Sequence, residues 1–162
     1  MFRLMVGLLA ELDKRIATLD CEIARRAKED EAARRLMTIP GIGPIAAIIA
    51  LAPPIETFRK GRDFAAWLGL APRQHSTGGK QRLGSISKMG ERAIRRLLII
   101  AGSSMVRQAC RPGAPAGSWL ERMLARKPRM LVSVALANKM ARMAWALLTK
   151  NEDYRAPAAV AA

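Results

Sequence analysis

Apolar residues recur along the first part of the chain at alternating steps of four and three: Met5, Leu9, Leu12, Ile16, Leu19 and Ile23. This is the heptad spacing of a helix that lays one apolar seam against a second helix. Glu11, Asp13, Lys14, Arg15, Asp20, Glu22, Arg25 and Arg26 fill the remaining faces, as a paired helix requires. The pattern predicts a coiled-coil arm over residues 1–35. Either the arm pairs with another helix, of the same or a second chain, or its seam packs on its own domain. No capping residue precedes it, so it reads as the continuation of something longer.

The next pattern is Leu36-Met37-Thr38-Ile39-Pro40-Gly41-Ile42-Gly43-Pro44. Two glycines flanking one apolar residue permit a tight turn with positive φ. Pro44 then suits the first turn of a new helix, which runs on to Leu51 and stops at Pro53-Pro54. Residues 36–52 thereby resemble a helix-hairpin-helix motif, whose turn amides at Gly41 and Gly43 would face a DNA phosphate. The alternative is an ordinary buried turn between two helices, which the lack of basic residues just after it favours.

A short helix is expected over Arg62–Leu68, with Phe64, Trp67 and Leu68 facing inward. Residues 69–89 read as irregular or extended, because Gly69, Gly78, Gly79 and Gly84 interrupt any helical run. A long helix begins at Gly90. At 100° per residue, Ile94, Leu97, Leu98, Ala101 and Met105 share one side, while Arg92, Arg95, Arg96 and Arg107 share the other. A loop over 111–117, a short helix over 118–126 and a final helix over 130–149 follow. In that last helix Val134, Met140, Ala141, Ala144 and Leu148 form the inner side. Met123, Met130, Met140 and Met143 read as core filler. No strand-type alternation or internal repeat emerges. The predicted class is all-α: a helical domain over 36–150, an irregular glycine-rich segment over 67–90, and a flexible tail over 151–162.

Charge changes this picture more than length does. Among the 162 residues, 28 Lys and Arg stand against 13 Asp and Glu, a formal net charge of +15. Residues 1–36 are nearly balanced, with 8 basic and 7 acidic groups, whereas residues 58–96 hold 10 basic and 2 acidic ones. A near-neutral arm joined to a cationic remainder implies two tasks, the second with a polyanion such as nucleic acid. The longest apolar run, 44–55, is interrupted by prolines and falls short of the roughly 20 residues of a membrane span. Cys21 and Cys110 lie in unrelated contexts, so a disulfide is not expected and a reducing, cytoplasmic setting is; Cys110 reads as a small buried residue. Aromatic content of 4% argues against binding by stacked bases.

The chemistry concentrates in WLGLAPRQHSTGGKQRLGSISKMGERAIRRLL, residues 67–98. A hydroxyl pair, Ser76-Thr77, follows the single histidine, His75, and precedes Gly78-Gly79 amid dense positive charge. A serine is weakly nucleophilic until its proton is removed or the phosphate is polarised. In an extended segment His75 would point away from Ser76, so it is a poor general base. Arg73, Lys80 and Arg82 are better placed to neutralise charge at phosphorus. Lys88, Arg92, Arg95 and Arg96, with Lys139 and Arg142 on the last helix, complete the candidate nucleic-acid contacts. Arg122, Arg126, Lys127 and Arg129 serve equally well as solubilising charges. The plainer reading of Ser76 is a turn cap shaped by its glycines.

TIPGIGPIAAIIALA, the block FAAWLGLAPRQHSTGGKQRLGSISKMGERAIRRLL and the closing VALANKMARMAWALL together resemble the carboxy-terminal transposase domain of the IS-110/IS-116/IS-902 insertion-sequence family. The resemblance runs from about Leu36 to about Lys150, and the preceding coiled coil is similar too. It implies a DNA recombinase that pairs donor and target DNA through a structured guide RNA. An amino-terminal RNase-H-like domain with four metal-binding carboxylates, holding a divalent metal such as Mg, would act with this serine-bearing part. The family serine corresponds to Ser76, with Thr77 and Ser85 as weaker positions. Two departures stand out. Ser85 occupies a place where the family usually carries a basic residue, and no four-carboxylate set exists in this sequence. The chain therefore reads as a fragment or a truncated product that binds nucleic acid without recombining it alone.

Overall fold

The computed structural model describes residues 1–50, 54–80, 82–111 and 117–155, without the side chains of 48–50. Seven α-helices and a two-stranded hairpin make up these residues, an all-α class with one small β-element. Helix α1 runs over Phe2–Glu29, roughly 42 Å at 1.5 Å per residue. It ends because Asp30 turns extended and uses its carboxylate to accept the Ala33 amide at 2.8 Å, capping α2 (Glu31–Met37). The turn that follows carries Gly41 at φ +87°, and Pro44 opens α3 (Pro44–Ala50). A single 3₁₀ turn at Ile55–Thr57 leads to α4 (Gly61–Trp67).

Strands β1 (Pro72–Gln74) and β2 (Leu83–Ile86) pair antiparallel. The segment expected to be irregular or extended is thus an ordered ribbon. Then come α5 (Arg92–Ala109), α6 (Trp119–Leu124) and α7 (Arg129–Lys150). Ser118 caps α6 by accepting the Glu121 amide at 3.1 Å. The 111–117 loop falls almost wholly outside the described residues.

The core is built on α7. Val132, Leu136, Ala137, Met140, Ala141 and Ala144 are buried against Ile94, Leu98, Ala101 and Val106 of α5 and against Phe64, Ala65 and Leu68 at α4. Gly102 lies directly on the Ser133 carbonyl, so α5 and α7 approach closely. By length and composition α7 could cross a membrane, but its apolar side is this core, and Lys139 and Arg142 mark another side. Leu36, Ile39, Ile42 and Ala47 close the core from the α2–α3 side.

Four expectations change here. Trp67, expected to face inward, is 39% exposed at the end of α4. Met130 is 69% exposed on the first turn of α7 rather than core filler. Cys110 is exposed, because it caps the end of α5 where the helix leaves the core. Residues 151–155 are tethered: Asn151 takes a left-handed conformation, Arg35 donates to its side-chain oxygen at 2.9 Å, and the Tyr154 amide donates to Thr38 Oγ1 at 2.9 Å. Of the α1 seam, only Ile23 approaches the domain. Met5, Leu9, Leu12, Ile16 and Leu19 are 45–61% exposed, so the seam does not pack on its own domain.

Candidate active-site hairpin and nucleic-acid interface

The ribbon is clamped at its base by close backbone approach, reinforced by side chains. Gly69, at φ +70°, faces the Met89 backbone, and Gly90, at φ +99°, faces the Trp67 carbonyl so closely that a Cβ would overlap it. The Ser87 amide donates to Ala71 O at 2.9 Å and the Lys88 amide to Gly69 O at 3.1 Å. Lys88 itself adopts φ +57°, a strained value for a lysine that the surrounding bonds impose. Arg95 reaches across from α5 and donates to Leu68 O at 2.9 Å and Gly90 O at 3.4 Å. By residue type and helical side alone, Arg95 belongs with the phosphate contacts. Its half-buried position and carbonyl partners give it a holding role at the ribbon's base instead.

At the other end, Thr77 bridges to Lys80 across Gly78-Gly79, whose φ values of +58° and +80° fit a two-residue type I′ turn. The His75 amide donates to Arg82 O at 2.8 Å. The Ser76 hydroxyl oxygen accepts the Arg82 amide at 3.1 Å. Ser76 is exposed, as are Arg73, His75, Thr77, Lys80, Arg82 and Ser85. Its oxygen is polarised by one amide while its proton and a second lone pair remain open to solvent.

Register decides what accompanies it. His75 lies opposite Arg82 and Thr77 opposite Lys80, so alternation sets Arg73, His75, Lys80 and Arg82 on one face of the ribbon. Ser76 shares the other face with Gln74 and Leu83. The imidazole rests on Gly84, its Cδ2 3.0 Å from where a Cβ would stand, and is engaged there rather than beside Ser76. Arg73 also donates to Ser87 O at 3.2 Å. The cations therefore lie on the face opposite Ser76, and a phosphate at its oxygen meets them only if their long side chains reach round the ribbon's edge. The register shifts between Pro72 and Gln74, which adds local twist at the ribbon's base.

The remaining candidates fall into three places. Lys88, Arg92 and Arg96 are exposed at the ribbon's base and on the first turns of α5. Gly41 and Gly43 lie elsewhere: Gly41 packs on Met105, with Sδ 2.7 Å from its would-be Cβ. Met105 is ten residues from Arg95 along α5, roughly 15 Å by helical rise. Lys139 and Arg142 line an open groove on α7, away from the ribbon tip. Sequence reasoning missed Asn138, whose side-chain amide donates to Leu70 O at 3.1 Å and fixes where the chain enters β1. A lone asparagine on a helix gives no periodic signal for such a contact.

Glu22 accepts from both Arg25 and Arg26, which hold its carboxyl down at about 2, and Glu11 pairs with Arg15 at 3.0 Å. Among the described residues no three metal-ligating side chains converge.

Residues 33–115 match the transposase IS116/IS110/IS902 family. The chain belongs to that family. It is 48% identical, over 91% of its length, to a probable family 20 transposase of Pseudomonas aeruginosa, and 39% identical over 86% to the transposase for insertion sequence element IS1328 of Yersinia enterocolitica. A transposase for insertion sequence element IS1111A of Coxiella burnetii is 37% identical over 91%. The chain spans 44%, 42% and 41% of these relatives respectively. The family match begins inside α2 and spans the ribbon and α5.

Proposed function

We propose that this chain is the serine-bearing, nucleic-acid-binding part of a transposase that moves an insertion sequence by guide-RNA-directed DNA strand exchange. The observation that carries the reading is Ser76 itself: an exposed hydroxyl next to a rigid two-residue turn, on a ribbon edged with arginine and lysine. In the step proposed, Ser76 Oγ bonds to the phosphorus of a DNA phosphodiester. The P–O3′ bond breaks, the 3′ oxygen leaves as a hydroxyl, and the serine proton is released to solvent or to that oxygen. The phosphoserine linkage conserves the ester for rejoining. Arg82 and Lys80 lower the charge on the five-coordinate phosphorus. The carboxylates and divalent metal of the RNase-H-like domain belong to a part of the transposase outside this chain, and no step here runs through them.

The test is a trapped intermediate. Full-length transposase, guide RNA and a DNA substrate nicked beside the cleavage point should yield a covalent adduct whose tryptic peptide carries the nucleotide on Ser76. An adduct on Thr77 or Ser85 would relocate the nucleophile. Efficient exchange with no adduct would remove serine chemistry. One observation favours a second reading, a binding module without chemistry: the Arg82 amide bond makes Ser76 a competent turn cap. The same experiment separates the two.

Two further expectations follow from charge and from the arm. If phosphate contacts on the ribbon and α5 dominate, DNA affinity should fall with salt at a log–log slope near −5 for about six contacts. A flat response in anisotropy titrations would refute both nucleic-acid readings. The exposed seam of α1, flanked by Glu11–Arg15 and Glu22–Arg25 pairs, fits a coiled coil with a second copy. Leu12→Asp with Leu19→Asp should reduce the mass in light scattering to that of one chain, leaving helicity of the domain intact. An unchanged mass would mean the arm does not assemble the protein.

A further inference from the structure

Away from the ribbon tip, α4, α6 and α7 enclose an open groove of about 780 Å³. Lys60 and Arg62 stand on its α4 wall, and Lys139 and Arg142 on α7; no carboxylate lines it. None of these four cations has an ion-pair partner among the described residues. The Lys139 ammonium is held over the Trp119 ring at 4.7 Å from its centre, which fixes a charge that would otherwise swing freely. Burial, then Arg122 and Arg142, push the Lys139 pKa down. The fold therefore crowds like charges here without internal compensation, as a surface does when its counter-charge arrives with a ligand.

The shape narrows the ligand. A volume in this range suits a ligand of many atoms rather than a lone phosphate. Cations on two adjoining sides of the groove can hold one backbone at several phosphates. A duplex presents two phosphate rows on a convex rod and would touch only the rim. Nor does the groove stand alone: Asn138 lines it and also holds Leu70 O, two residues before β1. A strand leaving the groove on that side meets the ribbon's base.

We propose that this groove binds a single-stranded segment of nucleic acid through its phosphates, with Lys60, Arg62, Lys139 and Arg142 as the contacts and Trp119 orienting Lys139. The site is separate from Ser76 and stands whether or not Ser76 performs chemistry. It gives an assembly of two paired nucleic acids a place to hold an unpaired stretch beside the reacting ribbon.

The experiment uses the whole chain with fluorescein-labelled 12-mers of oligo-U, oligo-dT and a 12-bp duplex. Single strands should alter the tryptophan emission, and Trp119→Phe should abolish most of that change. Lys139→Ala with Arg142→Ala should weaken single-strand affinity by about tenfold or more and lower the salt slope by about 1.4, that is 0.7 per phosphate contact. Arg62→Ala, on an exposed side chain, should show a smaller fall in the same direction and guards against misfolding of the double variant. Arg3→Ala on the arm should leave affinity unchanged. A preference for U over dT would assign the strand as RNA; equal binding would assign backbone recognition alone. The proposal is overturned if the α7 variants bind normally, if the duplex shows an equal emission change lost in the same variants, or if polyglutamate of matched charge displaces the strand as well as oligo-dT does. Failure of the Ser76 adduct with this signature intact would discard the chemistry and keep the groove.

Discussion

Ser76→Ala in the full-length transposase is expected to lower strand exchange on the order of 10⁴-fold or more, the scale seen when an enzyme loses a nucleophile but keeps its binding surface. Folding and affinity should barely move. Ser76 is exposed, and what the alanine forfeits is one surface hydrogen bond, that from the Arg82 amide at 3.1 Å, worth about 1 kcal/mol at most. Single-turnover cleavage, read beside a binding titration, separates the two roles. A turn cap would lose a little stability and no more than a few-fold in rate. A nucleophile would lose the covalent species entirely while DNA affinity stays within a factor of two or so, since phosphate contacts set affinity. Near-normal exchange by the alanine variant would sink the catalytic assignment. Arg82→Ala offers a graded companion. It keeps the backbone amide that polarises Ser76 and removes only the guanidinium, so its loss should be on the order of 10²-fold, as for one electrostatic donor to a developing charge.

The helical skeleton was legible because its signals are local. Apolar spacing located α4, α5 and α7 to within a residue or two, and the inner face of α5 is the one the 100° projection picks out, with Ile94, Leu98 and Ala101 buried. On α7, Met140, Ala141 and Ala144 are buried as expected, but so are Val132, Ser133, Leu136 and Ala137, while Val134 is only half-buried. The ribbon was harder. Gly69, Gly78, Gly79 and Gly84 read as helix breakers, which they are, but two of them also make the turn that pairs β1 with β2. Strand alternation is invisible there because neither face is buried: every residue from Pro72 to Ser85 that the structure describes is exposed. Pairing depends on turn geometry and on the base clamp, not on a hydrophobic face.

Individual cations were the least legible. Arg95 lies on the helical side shared with Arg92 and Arg96, and nothing in that spacing tells a carbonyl-binding arginine from a free one. What distinguishes it is Leu68 O, 27 positions away in sequence. The gathering of Lys60, Arg62, Lys139 and Arg142 around one groove is equally non-local. Residue type points to a polyanionic partner; only tertiary contacts sort the cations into those that hold the protein and those left without an internal partner.

Gly90→Ala should be the most damaging small substitution in the ribbon, although it lies far from Ser76 in sequence and adds one methyl group. Gly90 sits at φ +99°, and its Cβ would overlap the Trp67 carbonyl. The backbone conformation alone costs an L-residue about 1–2 kcal/mol. Displacing a packed backbone to admit the methyl adds about 1–3 kcal/mol. A combined loss of roughly 3 kcal/mol lowers the melting temperature by roughly 6–12 °C for a domain of this size. Gly78→Ala is the matched control. Its φ of +58° lies in the left-handed region and nothing stands within 4 Å of its Cβ position, so it should cost only about 1 kcal/mol. The two variants should also differ in where they loosen the protein. In Gly90→Ala the carbonyls of Leu68 and Gly90 move away from Arg95, and the Ser87 and Lys88 amides lose protection from hydrogen exchange together with His75. In Gly78→Ala, only the amides nearest the turn should exchange faster. Equal melting temperatures for the two would mean that the ribbon is not clamped at its base, and that Ser76 is held in place by its turn alone.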